Sequence, residues 1–96
     1  MAIYKVSNRE TISSVSSSTG FTSTYLVAYV LYAIVQAVGG TIRFTIDGTD
    51  TPTSSLGLRL TEDSKVEVWG TEAMNNFRCI DDGGTATVEV VYMRSV

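Results

Sequence analysis

From Tyr25 onward, apolar and polar positions alternate with a period of two, the spacing of a strand with one buried face. Thr41–Asp47 shows it most cleanly. Ile42, Phe44 and Ile46 fall on one side, and Thr41, Arg43, Thr45 and Asp47 on the other. Lys65–Trp69 repeats the pattern with Val66 and Val68 inward, and Thr85–Arg94 does so with Ala86, Val88, Val90 and Tyr92 on one face. Tyr25–Val38 (YLVAYVLYAIVQAV) is apolar on both faces. Its β-branched and aromatic content predicts one long strand or two short ones rather than a buried helix. Leu58 and Leu60 open a further strand, and Phe77–Ile80 is another.

Turn residues punctuate these runs. Gly39-Gly40 lies between two strand patterns and predicts a two-residue hairpin, because both positions can take a positive φ. Asp47-Gly48 opens a second turn, and the loop after it holds Pro52, where no ladder donor is missed. Thr61–Ser64 and Asp81–Gly84 are polar turns. Residues 71–76 (TEAMNN) have the composition of one helical turn, with Thr71 as its N-cap. Short strands at close spacing with Gly and Asp turns predict an all-β, single-domain antiparallel β-sandwich or small barrel.

The first quarter of the chain reads differently. Residues 7–24 contain eleven Ser or Thr among eighteen positions and have no apolar period. The sequence divides into a Ser/Thr-rich N-terminal arm, 1–24, and a β-sandwich domain, 25–96. Two readings of the arm stay open. One is a flexible leader. The other is an extended segment that orders against a neighbour, docking Ile3, Tyr4, Val6, Ile12, Val15 and Phe21 into apolar grooves. Removal of residues 1–20 is expected to leave the β domain folded but to weaken assembly.

Composition narrows the function. With 96 residues, 44% hydrophobic and 18% charged, the chain is one domain with a thin core, for which a partner subunit would be useful. Net charge is −3 and the seven Lys and Arg are unclustered, so no nucleic acid is expected as a partner. No apolar run reaches the roughly 20 residues of a membrane-spanning helix, and the N-terminus lacks the apolar core of a signal peptide, so a membrane role is not expected either. One cysteine, Cys79, excludes an intrachain disulfide, and a reducing cytoplasm fits as the site of synthesis.

Chemistry-bearing constellations are sparse. The chain has no histidine, the commonest general base and metal ligand. The carboxylate pairs Asp47/Asp50, Glu62/Asp63 and Asp81/Asp82 lie next to turn residues, where Asp normally hydrogen-bonds its own backbone. No metal site, cofactor or catalytic residue is expected. Cys79 reads as a small buried filler. The positive signal is apolar residues on the polar face of strands. Trp69 shares a face with Lys65 and Glu67, and Val91 and Met93 share one with Glu89. A second apolar face calls for a second layer, a lid or a partner; the arm itself could be the cover.

Across roughly Ala33 to Tyr92 an ordered series of segments carries a resemblance: IVQAVGG, TIRFTIDGTD, PTSSLGLRL, a strand ending in WG, EAMNNFRCI and TATVEVVYMR. In this order they resemble small structural proteins of tailed-bacteriophage particles. The chain departs from that pattern by an extra Thr51 in DGTDTPT and by Cys79 where alanine is more usual. The resemblance implies a non-enzymatic virion protein that self-assembles, made in the host cytoplasm. Its first implied role is a capsid decoration (cement) protein bound to the major capsid protein. A head–tail connector or tail component is the second. A reading of another class is a carbohydrate- or peptide-binding β module, with Trp69, Tyr25, Tyr29 and Tyr32 stacking on sugars.

Overall fold

The structure, a computed structural model, describes residues 3–13, 15–27 and 29–96. Met1, Ala2 and Ser14 of the expected arm, and Ala28 of the expected long strand, lie outside the described residues. Two antiparallel sheets pack face to face, as the alternation predicted. The larger is built from β1 (Tyr4–Ile12), β2 (Val30–Val38), β5 (Lys65–Trp69) and β7 (Thr87–Ser95), in the order β1-β7-β2-β5. The smaller is β3 (Ile42–Thr45), β4 (Leu58–Leu60) and β6 (Arg78–Asp81), in the order β4-β3-β6. One short helix, α1 (Thr71–Asn76), joins β5 to β6.

Alternation decides which side chains enter the core. Ala33, Val35 and Ala37 of β2 and Val88, Val90 and Tyr92 of β7 are almost wholly buried, and they face Ile42, Phe44 and Cys79 of the other sheet. A run of aromatic rings links the layers. Phe44 lies over Phe77, Phe77 stacks on Phe21 at 4.3 Å, and Phe21 meets Tyr92 edge-on at 5.5 Å. Offset and edge-to-face pairs at these distances add to the apolar area they bury.

The Ser/Thr-rich segment is part of this sandwich. Residues 4–12 form β1, an edge strand paired along β7 from Tyr4–Ser95 to Ile12–Val88. Beyond it, Thr19 and Cys79 exchange backbone hydrogen bonds at 2.9 and 2.8 Å, and Asp81 N donates to Val15 O at 2.8 Å. Ile12, Val15 and Phe21, expected to dock on a neighbour, are buried in the chain's own core at 8%, 2% and 9% exposure. The reason is that β7 and β6 each leave one row of backbone groups open, and this segment fills both. Thr11, Ser13, Ser16 and Ser17 stay exposed while three well-separated apolar side chains turn in. Periodicity could not show this, because the apolar residues are too far apart to set a period.

Four local expectations are corrected. Gly39-Gly40 does not close a hairpin, because β2 already has β7 and β5 as neighbours and β3 belongs to the other sheet. The pair instead carries the chain across the sandwich. Gly39 takes φ +77°, and a Cβ on Gly40 would lie 3.3 Å from that of Ala86. The strand expected from Tyr25 begins only at Val30, after a single 3-10 turn over Ser23–Tyr25. Helix α1 is preceded by Gly70, whose carbonyl accepts from Met74 N at 3.0 Å, so Thr71 is inside the helix and is not its cap. At the far end of β3, Ile46 leaves the strand and is 42% exposed.

Candidate functional site: an aromatic outer face

The register of the larger sheet sorts its outward side chains into rows. Val6 pairs with Met93, Met93 with Tyr32 and Tyr32 with Trp69, so these four make one row across all four strands. The next row is Arg9, Val91, Ile34 and Glu67. The third is Thr11, Glu89, Gln36 and Lys65. Side-chain contacts confirm that these residues share the face. Arg9 Nη2 lies 3.7 Å from Glu89 Oε2, Thr11 Oγ1 donates to Glu89 Oε1 at 2.8 Å, and Trp69 Nε1 donates to Glu67 Oε1 at 2.9 Å.

Aromatic rings concentrate at one end. Trp69 stacks on Tyr32 with centroids 4.0 Å apart, and Tyr4 meets both edge-on, at 5.5 Å from Tyr32 and 5.9 Å from Trp69. Tyr32 is thereby only 8% exposed although it points away from the core, whereas Trp69 remains 49% exposed and Val6 57%. At the same end the Arg94 guanidinium sits 4.4 Å above the Tyr29 ring, a cation–π contact. Bulges set this end apart. The register shift at Val6/Asn8 turns Val6 outward, and the one at Val30/Tyr32 turns Val30 into the core while Tyr32 stays outward.

Of the nine contact residues named from sequence, five come together here: Tyr4, Val6, Trp69, Val91 and Met93. Ile3 is exposed at the same end, where its carbonyl accepts from Val96 N at 2.9 Å. Ile12, Val15 and Phe21 are core residues, as described above, and drop out of the surface. Tyr32 and Ile34, which complete the rows, were hidden in a segment apolar on both faces. Of the four rings weighed as sugar platforms, Tyr25 packs on Tyr92 in the interior and Tyr32 is covered, leaving Trp69 and Tyr29 accessible.

The smaller sheet presents a different exterior. Arg43 and Arg59, paired across β3 and β4, flank Asp82, whose Oδ2 lies 3.3 Å and 3.2 Å from their Nε atoms. The Arg59 contact is a hydrogen bond, while Arg43 Nε lacks the alignment for one and Arg43 Nη1 donates to Gly57 O at 3.0 Å. At the rim an open groove of about 320 Å³ is lined by Phe44, Ile46, Leu56 and Leu58 beside Asp47 and Asp50. The Asp47 carboxylate accepts from the backbone of Asp50 and Thr49, which holds it below its usual pKa; Asp50, hydrogen-bonded to Asp47, is held above its own. This is the turn role expected of the pair. Among the described residues, no three of His, Cys, Asp and Glu converge on a point where a metal ion would sit.

No protein-family model matches this chain, and neither a curated protein nor a solved structure does.

Proposed function

We propose that this chain is a non-enzymatic structural protein of a bacteriophage particle, acting as a capsid decoration or cement protein that stabilises the head by binding the major capsid protein. The observation that supports it is the aromatic outer face of the larger sheet. The sandwich core is already filled from the other side of that sheet, so Trp69, Tyr4, Val6, Val91 and Met93 are not needed to close it. Contiguous apolar surface of this kind is kept on a folded domain when a partner covers it. Aromatic residues and Met are the types enriched at such contacts. The ordered segments from Ala33 to Tyr92 supply the phage context by resemblance, and a head–tail or tail position belongs to the same reading.

The test is co-sedimentation of the purified protein with capsids that lack it, followed by heating of bare and decorated heads. Saturable binding that raises the temperature of head rupture, and that weakens with Trp69→Ala, is the expected result. Protein that stays in the supernatant with heads, connectors and tails alike would overturn the proposal. Retention on an immobilised polysaccharide, abolished by Trp69→Ala, would favour the carbohydrate-binding module instead.

A further inference from the structure

One of the three outward rows of the larger sheet has opposite charges at its two edges. In the middle row Arg9 stands on β1 and Glu67 on β5, with Val91 and Ile34 between them. A two-fold axis along the strands, passing between β7 and β2, would lay a second copy face down with its strand order reversed. Rows then meet like rows. Arg9 of each copy lies opposite Glu67 of the other, Val91 opposite Ile34, Val6 opposite Trp69, and Met93 opposite Tyr32. Every edge charge of the middle row finds its opposite, the first two rows meet through apolar centres, and in the third Glu89 lies opposite Gln36 and Thr11 opposite Lys65. Such a contact is isologous, as a two-fold dimer requires.

Tyr4 on β1 reaches both Tyr32 on β2 and Trp69 on β5. The Tyr4 side chain therefore reaches across the face from the edge strand and gathers the rings into one cluster. Three nine-residue strands of about 30 Å and the five-residue β5 of about 17 Å, set about 4.8 Å apart, give the face about 500 Å² per copy, or about 1,000 Å² in a pair, the least that a specific contact buries.

We infer that the outer face of the larger sheet is a self-pairing surface, and that a second copy of this chain covers it about that axis with reciprocal Arg9–Glu67 contacts. The inference rests on the same reading of the face as an assembly surface and names its occupant.

A charge-reversal experiment tests it without any other virion protein. Sedimentation of the isolated chain over a concentration series should show a dimer. Arg9→Glu alone places two acidic pairs across the axis, and Glu67→Arg alone places two basic pairs. Each should raise the dimer dissociation constant about tenfold or more. Mixed in equal amounts, the two variants should pair again, because in the mixed dimer both contacts join opposite charges. Circular dichroism confirms that each variant is folded, and both sites are exposed, so folding should be retained. A wild-type chain that stays monomeric overturns the assignment, as does a mixture that fails to recover the dimer. A monomer that nonetheless binds capsids removes the self-pairing and leaves the virion role standing. A charge-dependent dimer that never joins a particle does the opposite.

Discussion

The Tyr92 hydroxyl, at the heart of the core, donates a hydrogen bond to the Glu10 carboxylate on the neighbouring edge strand. Glu10 also accepts from Thr22 N at 3.0 Å and Thr22 Oγ1 at 2.6 Å. One side chain of the Ser/Thr-rich segment thus satisfies the phenol and anchors the turn that brings Phe21 into the core. Burial, reinforced by the Glu10 charge, holds the phenol well above its usual pKa, so it stays a donor at any ordinary pH.

The two partners of this bond should respond unequally to substitution. Tyr92→Phe removes the donor and leaves Glu10 with Thr22, so it should cost about 1 kcal/mol. Glu10→Ala strands a hydroxyl in the core and frees Thr22, and should cost about 2–3 kcal/mol. Urea denaturation of both variants measures the difference. Equal losses would mean the carboxylate does not serve the core.

Removal of residues 1–20 should abolish folding, contrary to what their composition suggests. The deletion takes away β1, leaving β7 with an open edge, and strips Ile12 and Val15 from the core. It also ends the hydrogen bonding of Thr19 to Cys79. Loss of the β signal in circular dichroism is the expected outcome; a cooperative melt near that of the intact chain would refute it.

Phe44 and Trp69 should separate stability from assembly. Phe44 is 5% exposed between the sheets, and Phe44→Ala should cost about 3–5 kcal/mol through lost burial and the cavity left behind. Trp69 is half exposed and rests on Tyr32, so Trp69→Ala should cost the isolated chain only about 1 kcal/mol, the order of one aromatic pair. Thermal melts at low protein concentration give both values, and repeating them at high concentration should widen the loss for Trp69→Ala alone.

Cys79 supplies a pH dependence. Burial pushes its thiol up to about 12 from an ordinary value of 9.0. Between those values the unfolded chain releases a proton that the native state keeps, so stability falls as pH rises. Each such group contributes a slope of at most about 1.4 kcal/mol per pH unit. Denaturation between pH 8 and 10 should show the start of this decline, and Cys79→Ala should flatten it. A disulfide-exchange reagent should label Cys79 only as fast as the chain unfolds.

What could be read from sequence follows from the range of the interactions involved. The alternation in Lys65–Trp69 and in β7 is set by neighbouring residues, and it placed Trp69, Val91 and Met93 on the outer face correctly. Tyr32 and Ile34 escaped because the strand carrying them is apolar on both sides, so parity had nothing to contrast. Gly39-Gly40 looked like a hairpin because a turn is a local feature, whereas sheet membership depends on β7, whose pairing residues lie about fifty positions further on. Residues 7–24 were the hardest. Their partners are Cys79, Asp81 and the whole of β7, and hydroxyl-rich composition says nothing about edges left open so far along the chain.

Strand β7 lies between β1 and β2, although it is made after both. During synthesis the larger sheet has its first strand and its third, with nothing to join them. Val35 and Ala37 of β2 have no complete layer to enter until Thr87–Ser95 has left the ribosome. The pairing of β1 with β7 closes a loop of nearly the whole chain, a slow step compared with forming a local hairpin. Folding is therefore a late event here. A nascent chain presents its apolar strands until translation has passed Thr87–Ser95, and chaperone demand should fall sharply once those residues emerge.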